Sequence, residues 1–254
     1  MLTFLKNLFT RRQQKATANI NFPLGWEQMT LPQFMDVCYI LTLQGLSRER
    51  GLFLMLCKLS GLIPVSVKDV DGDIIKKNKG KDPYWIDNKI HMISRTTITD
   101  AANLLSYIYD NVGLPPSPFK NVERKLFGIS FDTFYTVDSL VIRAQVENNF
   151  GYLKAAAKTL TGGRVRKLDP VLQRAFIIWW AGVKEYLQQL YPYVLTKGEG
   201  GITDKTQAEI LQDLLSVMND NKPQDNERIL KTDMHSVLHA LNKIYCDAHE
   251  RNSK

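Results

Sequence analysis

The chain has 254 residues, of which 44% are hydrophobic and 23% charged. This is ordinary globular composition, which excludes a chain disordered throughout and permits one large domain or two small ones. The formal net charge of +7 permits contact with nucleic acid, anionic lipid or acidic proteins. The three cysteines have no CxxC spacing, which excludes a disulfide framework and indicates small buried hydrophobes in a reducing compartment: Cys38, Cys57 and Cys246.

The first twelve residues, MLTFLKNLFTRR, predict a short amphipathic helix with a basic end. The segment lacks the long apolar core and cleavage site of a signal peptide and is too short to span a bilayer. It can lie on a membrane surface, dock on this protein or dock on a partner. Residues 13–21 form a polar linker, so 1–21 is set apart from the folded chain, and no other exported or transmembrane segment is visible.

Two helices are predicted next. Thr30 caps the first, which has Pro32 in its first turn and ends at Gly45. Ser47 caps the second, and the short turn predicts antiparallel packing as a hairpin. The predicted inward positions are Leu31, Phe34, Cys38 and Leu41 in the first helix and Leu52, Met55, Leu56 and Leu59 in the second.

After Pro64 the hydrophobic pattern alternates, which predicts a small antiparallel sheet. Asp71–Gly72 is a hairpin signal, and a second strand pair, Tyr84–Ile86 and Ile90–Ile93, flanks a turn at 87–89. The acidic triplet at positions 69, 71 and 73 is not an EF-hand loop, because its glycine is misplaced and no glutamate closes it.

Thr99 is the predicted cap of a helix that ends near Gly113, which completes an α-α-β-β-α unit over residues 22–113. The prolines of Leu114–Phe119 exclude helix and central strand, so this segment is the predicted boundary. The second unit, 120–250, is predicted to be a helical bundle around the helix 169–191. The fold class is therefore mainly α, a multi-helix bundle with a small antiparallel β-sheet in the N-terminal half.

Asp169–Pro170 is the clearest helix start in the chain, because the carboxylate can cap and proline fits the first helical position. The apolar stripe that follows includes Trp179 and Trp180, which are interpreted as core. Before it, residues 131–160 predict a long helix with a bend or break near Asn148, in which Asp132 and Asp138 serve capping and the helix dipole.

Two terminal helices are predicted at 207–219 and 227–249. His235 and His239 lie one turn apart on the second, a spacing that lets two imidazoles share a metal. The glutamate of a HExxH motif is missing, so partly exposed structural histidines are the preferred interpretation.

The sequence contains three groups of basic residues, of which the first is at the N-terminus. In an alternative interpretation the other two contact phosphate or nucleic acid. They are Lys76, Lys77, Lys79 and Lys81, and Arg164, Arg166 and Lys167. A solvated surface is the ordinary interpretation, because no aromatic residues are interleaved with the charges. Gly162–Gly163 beside the second group either holds a phosphate or is a plain helix connection.

No nucleophile elbow, Walker loop or dinucleotide-binding glycine motif is present, so no catalytic residue, metal or cofactor is predicted. An enzyme of unrecognised type, built around the tryptophan pair and the histidines, remains an open alternative.

The segment Pro23–Leu43 carries a resemblance. Trp26 in an extended entry, then Thr30–Leu31, then Phe34 opening a helix, resembles the start of tail assembly chaperones and related small tail-region proteins of long-tailed bacteriophages. The resemblance covers about the first sixth of the chain, and Trp26 and Phe34 are the matching positions, offered as protein-binding residues.

The resemblance implies a non-enzymatic assembly or structural protein, in the bacterial host cytoplasm or the virion, that binds a helical tape-measure protein or another tail component. Such a role requires apolar grooves between helices that accept another amphipathic helix. The basic charge and the second helical unit fit a virion component as well as a chaperone. A nucleic-acid-binding accessory protein is the first alternative, and oligomeric state cannot be read from the pattern.

Overall fold

A computed structural model describes residues 20–66, 70, 81–86, 89–110, 113–195, 207–219 and 222–252. The chain divides into two compact units, Met1–Pro116 and Ser117–Lys254, and the division falls inside the proline-rich segment. The described part is mainly helical with one small antiparallel sheet in the first unit, so the predicted fold class is confirmed. The N-terminal amphipathic segment and the Asp71–Gly72 hairpin lie outside the described residues.

Unit 1 opens with a single 3-10 turn, Trp26–Gln28, followed by a helical pair, α1 (Leu31–Thr42) and α2 (Arg48–Ser60). The predicted caps are confirmed. The Thr30 hydroxyl accepts from the backbone N–H of Gln33, whose side chain accepts in return from the Thr30 N–H, and Ser47 caps α2.

The two helices pack against each other across a short connection in which Gly45 has φ +71°. All four predicted inward residues of α2 are buried, but Leu31 and Leu41 of α1 are only half-buried. Val37 and Ile40 are buried in their place, so the inner face of α1 is rotated from the predicted one.

The sheet has the order β1-β2-β3 with antiparallel neighbours, built from β1 (Ile63–Pro64), β2 (Lys81–Ile86) and β3 (Lys89–Ser94). Tyr84 lies opposite His91 in the second ladder. The predicted pairing on either side of residues 87–89 is confirmed, although both strands are longer than the alternating apolar residues indicated.

The helix after the sheet, α3 (Arg95–Asn103), begins five residues before the predicted start. Ser94 ends β3 and its hydroxyl accepts from the Thr97 N–H, so Ser94 is the cap and the prediction of Thr99 was wrong. A 3-10 turn follows α3 and leads into α4 (Tyr107–Asp110).

Unit 2 begins with a helical hairpin, α5 (Phe131–Val146) and α6 (Phe150–Leu160), so of the predicted bend or break near Asn148 the structure has the break. Asn148 takes φ +48°, a left-handed conformation that ends α5 and that asparagine tolerates. The side chain of Asn149 then caps α6 by accepting from the Gly151 N–H.

The central helix of unit 2, α7 (Pro170–Leu190), begins as predicted, because the Asp169 carboxylate accepts from the Leu172 N–H at 2.8 Å. Trp179 and Trp180 are 0% and 2% exposed, which confirms their core role. Their rings meet edge to face with centroids 5.9 Å apart.

The C-terminal part of unit 2 contains α8 (Gln207–Met218), α9 (Asn226–Lys231) and α10 (Met234–Asn252). The single helix predicted over 227–249 is broken at Thr232–Asp233. The backbone there pairs with the segment before α5: the Phe131 N–H donates to the Thr232 carbonyl and the Met234 N–H donates to the Ile129 carbonyl. Those hydrogen bonds replace helical ones, and Asp233 caps α10 through the Ser236 N–H.

Candidate functional site

Trp26 and Phe34, the two residues of the tail-protein resemblance, lie inside unit 1. Both are 0% exposed, and their rings meet edge to face at 5.5 Å, with Tyr107 on the other side of Trp26 at 5.6 Å. The Trp26 Nε1–H has no acceptor among the described residues, and burial puts it out of reach of a partner in this conformation. The two positions therefore shape the core beneath α1.

A groove of about 800 Å³ runs between α1 and α2 on the surface of unit 1. Its apolar lining comes from both helices and from the chain leading into β1: Tyr39, Leu43, Leu54, Cys57, Leu62 and Ile63. On α1, the lining residues Asp36, Tyr39 and Leu43 follow helical spacing, so they form one stripe that faces away from the buried side.

The groove has an unusually apolar exposed surface. Tyr39 is 56% exposed, Leu43 38% and Ile63 62%. Trp85 lies directly opposite Ile63 in the β1–β2 ladder and is itself 39% exposed, so the pair extends the apolar surface onto the sheet. Large apolar side chains grouped at a surface mark an interaction site, whereas scattered ones do not.

Besides its apolar side chains, the groove contains an ion pair and a thiol. At its rim Lys58 and Asp36 form an ion pair at 3.6 Å, exposed on both sides and therefore worth little to stability. Within it, burial raises the pKa of the Cys57 thiol to about 11, so this side chain is protonated near neutral pH and behaves as part of the apolar wall.

This site was not predicted from the sequence, because its residues do not form a motif. Tyr39 and Leu43 lie outside the stripe predicted for α1, and Ile63 and Trp85 are adjacent only after β1 pairs with β2. The signal available in the sequence was that α1 is apolar on more than one face, which indicates a second contact surface.

Of the first basic group, Lys76, Lys77 and Lys79 lie outside the described residues, and Lys81 is exposed at the start of β2. In the second group Arg164, Arg166 and Lys167 are all exposed on the connection between α6 and α7.

The glycines of that connection have a structural role. Gly162 and Gly163 have φ +60° and +81°, and their N–H groups donate to the carbonyls of Thr159 and Lys158, which closes the C-terminus of α6. Those backbone donors are therefore not available for a phosphate, and only the basic side chains nearby can contact one.

Most of the residues considered for an enzyme site make structural contacts or are buried. The Trp180 Nε1–H donates to Asp138 at 3.0 Å, and Lys184 donates to the same carboxylate at 2.7 Å, so Asp138 serves this cluster and not the helix dipole. His239 is exposed, but His235 is buried at 7% exposure, which corrects the prediction of partly exposed histidines. Within the described ranges no three His, Cys, Asp or Glu side chains are grouped to hold a metal.

A second pocket, of about 570 Å³, lies in unit 2 among α8, α9 and α10. Its buried polar residue Asn219 donates to the Asn226 side chain and accepts from the Lys222 N–H, and Arg228 pairs with Asp225 at 3.6 Å. These groups satisfy one another, so the pocket offers no converging set of unused donors or acceptors.

Comparison with known proteins gives no relative: no family model, no curated protein and no solved structure matches the chain. Of the helices in the described part of the chain, none is both long enough and apolar enough to cross a membrane.

Proposed function

We propose that the protein is a non-enzymatic assembly or structural protein of bacteriophage type, and that it binds an amphipathic helix of another protein in the α1–α2 groove. The observation that carries this proposal is the groove itself. It has a volume of about 800 Å³ and an apolar lining along which Tyr39, Leu43 and Ile63 are exposed.

The dimensions of the groove suit a helix. Asp36 and Leu43, the ends of the α1 stripe, are seven positions apart, and so are Leu54 and Gly61, the ends of the lining on the α2 side. At 1.5 Å per residue each wall is about 10 Å long, which matches about two turns of a bound helix with anchors at i, i+3 or i+4, and i+7.

The apolar walls of the groove contribute the affinity for the bound helix, and the charged residues at its rim fix the orientation of that helix. Full burial of a Leu, Ile or aromatic side chain contributes about 1.5–3 kcal/mol, so several such anchors are needed to offset a docking cost of about 4–15 kcal/mol. Asp36 and Lys58 at the rim can pair with charged positions flanking the apolar face of the bound helix.

The type of partner follows from the resemblance of Pro23–Leu43 to tail assembly chaperones and related tail proteins. The partner is a helical tape-measure protein or another tail component, met in the cytoplasm of the bacterial host or retained in the virion. Trp26 and Phe34 support this role from the core by fixing α1, while the contact residues are on its other face.

The test is a comparison of three full-length tagged proteins: the unaltered chain, Leu43→Asp and Leu24→Asp. Leu24 is the matched control, because it is 41% exposed against 38% for Leu43, belongs to the same unit and does not line the groove. Each is purified from nuclease-treated lysate of the native host, and the co-purifying proteins are identified by mass spectrometry.

The expected partner contains long helical segments, co-purifies in fixed ratio, and is retained by Leu24→Asp but lost by Leu43→Asp. With purified partner, calorimetry should show a loss of about 2 kcal/mol or more for Leu43→Asp, roughly 30-fold in Kd. Equal binding by the two variants would refute the groove. Loss of every partner on nuclease treatment would refute protein binding itself.

A further inference from the structure

The positive charge of the protein is concentrated in one stretch of unit 2. Residues 148–184 contain seven Lys or Arg and a single acidic residue, Asp169, which leaves six positive charges in 37 residues, against +7 for the whole chain. The remaining sequence is nearly neutral, so this stretch sets the electrostatic character of the molecule.

The structure exposes most of this charge. Five of the cations lie on α6 and on its connection to α7, and all five are exposed; we name them the basic patch: Lys154, Lys158, Arg164, Arg166 and Lys167. None of the five has a carboxylate partner among the described residues. The nearby Asp169 is committed to the α7 cap through the Leu172 N–H. Of the two remaining cations, Arg174 is exposed on α7 and Lys184 is paired with Asp138.

Local geometry brings the patch residues together. Lys154 and Lys158 are one helical turn apart on α6, about 6 Å along its axis, and both are exposed, whereas Leu153 and Ala157 on the adjacent face are buried. The Gly163 N–H donates to the Lys158 carbonyl at 2.8 Å, which holds Arg164 beside the last turn of α6. Arg166 and Lys167 follow on the same short connection.

Unpaired like charges held close together repel one another, at a cost of tenths of a kcal/mol for a pair one turn apart. Among the described residues no carboxylate forms an ion pair with these five cations to offset this cost. A bound polyanion would relieve it, and would gain the entropy of the counterions that it releases.

We propose that the basic patch binds the phosphate backbone of nucleic acid without reading its sequence. This activity is separate from the α1–α2 groove and does not rest on it. The side chains make the contacts, since the N–H groups of Gly162 and Gly163 are used in capping α6.

Nucleic acid fits the patch better than a membrane surface does. Interfacial membrane sites combine basic residues with large apolar side chains that enter the lipid. On the connection 161–169, all of which the structure describes, no large hydrophobic side chain is exposed, although Phe150 at the start of α6, one turn before Lys154, is 50% exposed. Three of the five patch cations lie on this connection, and cations without exposed apolar neighbours are suited to a regularly charged polyanion.

The experiment measures fluorescence anisotropy of a short labelled DNA duplex with the full-length protein between roughly 50 and 200 mM salt. Five phosphate contacts predict a slope of log K against log salt of about −4, so affinity should fall on the order of a few hundred-fold across this range. A patch variant carries four charge removals: Lys158→Gln, Arg164→Gln, Arg166→Gln and Lys167→Gln.

The matched control carries the same number of substitutions and loses the same four positive charges, but at exposed residues elsewhere on unit 2. These changes are Lys222→Gln, Lys231→Gln, Lys243→Gln and Arg251→Gln. Circular dichroism verifies that both variants are folded. The patch variant should bind at least tenfold more weakly, with a slope shallower by about 3 to 4, while the control changes less than about threefold.

Three results would overturn the proposal. If the protein did not bind the duplex at the lowest salt, it would not have the proposed nucleic-acid-binding activity. Equal weakening of both variants would show that net charge, and not the patch, attracts the duplex. Retention on phosphatidylcholine vesicles with about a third phosphatidylserine, without binding to DNA, would assign the patch to an anionic lipid surface.

Discussion

His235 holds three segments of unit 2 together through a buried pair of hydrogen bonds. Its Nδ1 lies 2.9 Å from the Tyr191 hydroxyl, and its Nε2 lies 2.8 Å from the Lys125 carbonyl. A carbonyl can only accept, so Nε2 carries a proton, and in the neutral imidazole Nδ1 accepts from the tyrosine O–H. Burial raises the pKa of Tyr191, which agrees with its role as a donor, and Phe127 stacks on the imidazole with centroids 4.3 Å apart.

We expect His235→Phe to destabilise the protein by about 2–4 kcal/mol. The substitution keeps an aromatic ring against Phe127 but leaves the Tyr191 hydroxyl and the Lys125 carbonyl without partners, and an unsatisfied buried group costs about 1–3 kcal/mol. Lys125 is exposed and the hydrogen bond to its carbonyl is only part-buried, so the expected loss is below the roughly 6 kcal/mol that two fully buried groups would cost. Urea unfolding followed by tryptophan fluorescence measures the change.

A double-mutant cycle tests the assigned geometry. Tyr191→Phe alone should cost about 1 kcal/mol, and the double variant should cost about 1 kcal/mol less than the sum of the single changes, because both remove the same hydrogen bond. His239→Phe is the control, since His239 is exposed one turn later and should change stability by less than about 0.5 kcal/mol. Additive effects, or a neutral His235→Phe, would refute the reasoning.

Two further outcomes are expected. Asp138→Ala should lower the unfolding free energy by about 2–3 kcal/mol in urea titrations, since the buried Trp180 N–H loses its acceptor, and a change under about 0.5 kcal/mol would contradict that role. Alkylation of Cys57, read by mass spectrometry of its peptide, should be slow at neutral pH and accelerate up to a pH of about 11, and fast reaction at pH 7 would contradict its burial in the groove. Because the unfolded thiol ionises near pH 9.0, the same raised pKa also makes folding stability fall as pH rises from about 9 to 11.

The sequence predicted the features whose causes are local. The caps at Thr30, Ser47 and Asp169 were readable because a side-chain oxygen and the N–H that it receives are two or three residues apart. The alternating strands on either side of residues 87–89 were readable for the same reason. Thr99 was wrongly chosen as a cap because Ser94 offered the same chemistry five residues earlier, at the end of β3.

Features fixed by distant segments could not be predicted. The break at Thr232–Asp233 depends on backbone pairing with residues 129–131, about a hundred positions earlier. The burial of His235 depends on partners 44 and 110 positions away. The groove depends on which side of α1 the core occupies, and a helix with two apolar faces does not reveal that choice.

The burial of Trp26 and Phe34 changes how the tail-protein resemblance bears on function. Residues that are 0% exposed are constrained by packing, so matching them predicts how α1 is seated and not what it binds. If the groove binds a helix as proposed, its specificity lies on the opposite side of α1, at Tyr39 and Leu43, where a substitution costs the fold little. A protein that shares the buried pair but differs at these exposed positions would keep the α1–α2 pair and bind a different helix.

The groove and the basic patch belong to different compact units, which makes the two proposals separable by mutation. Sites with no shared contacts contribute independently, so Leu43→Asp should leave the salt dependence of DNA binding unchanged, and the patch variant should retain the helical partner. If instead each change abolished both activities, the common cause would be loss of folding or one shared partner, and neither surface could be assigned a function of its own.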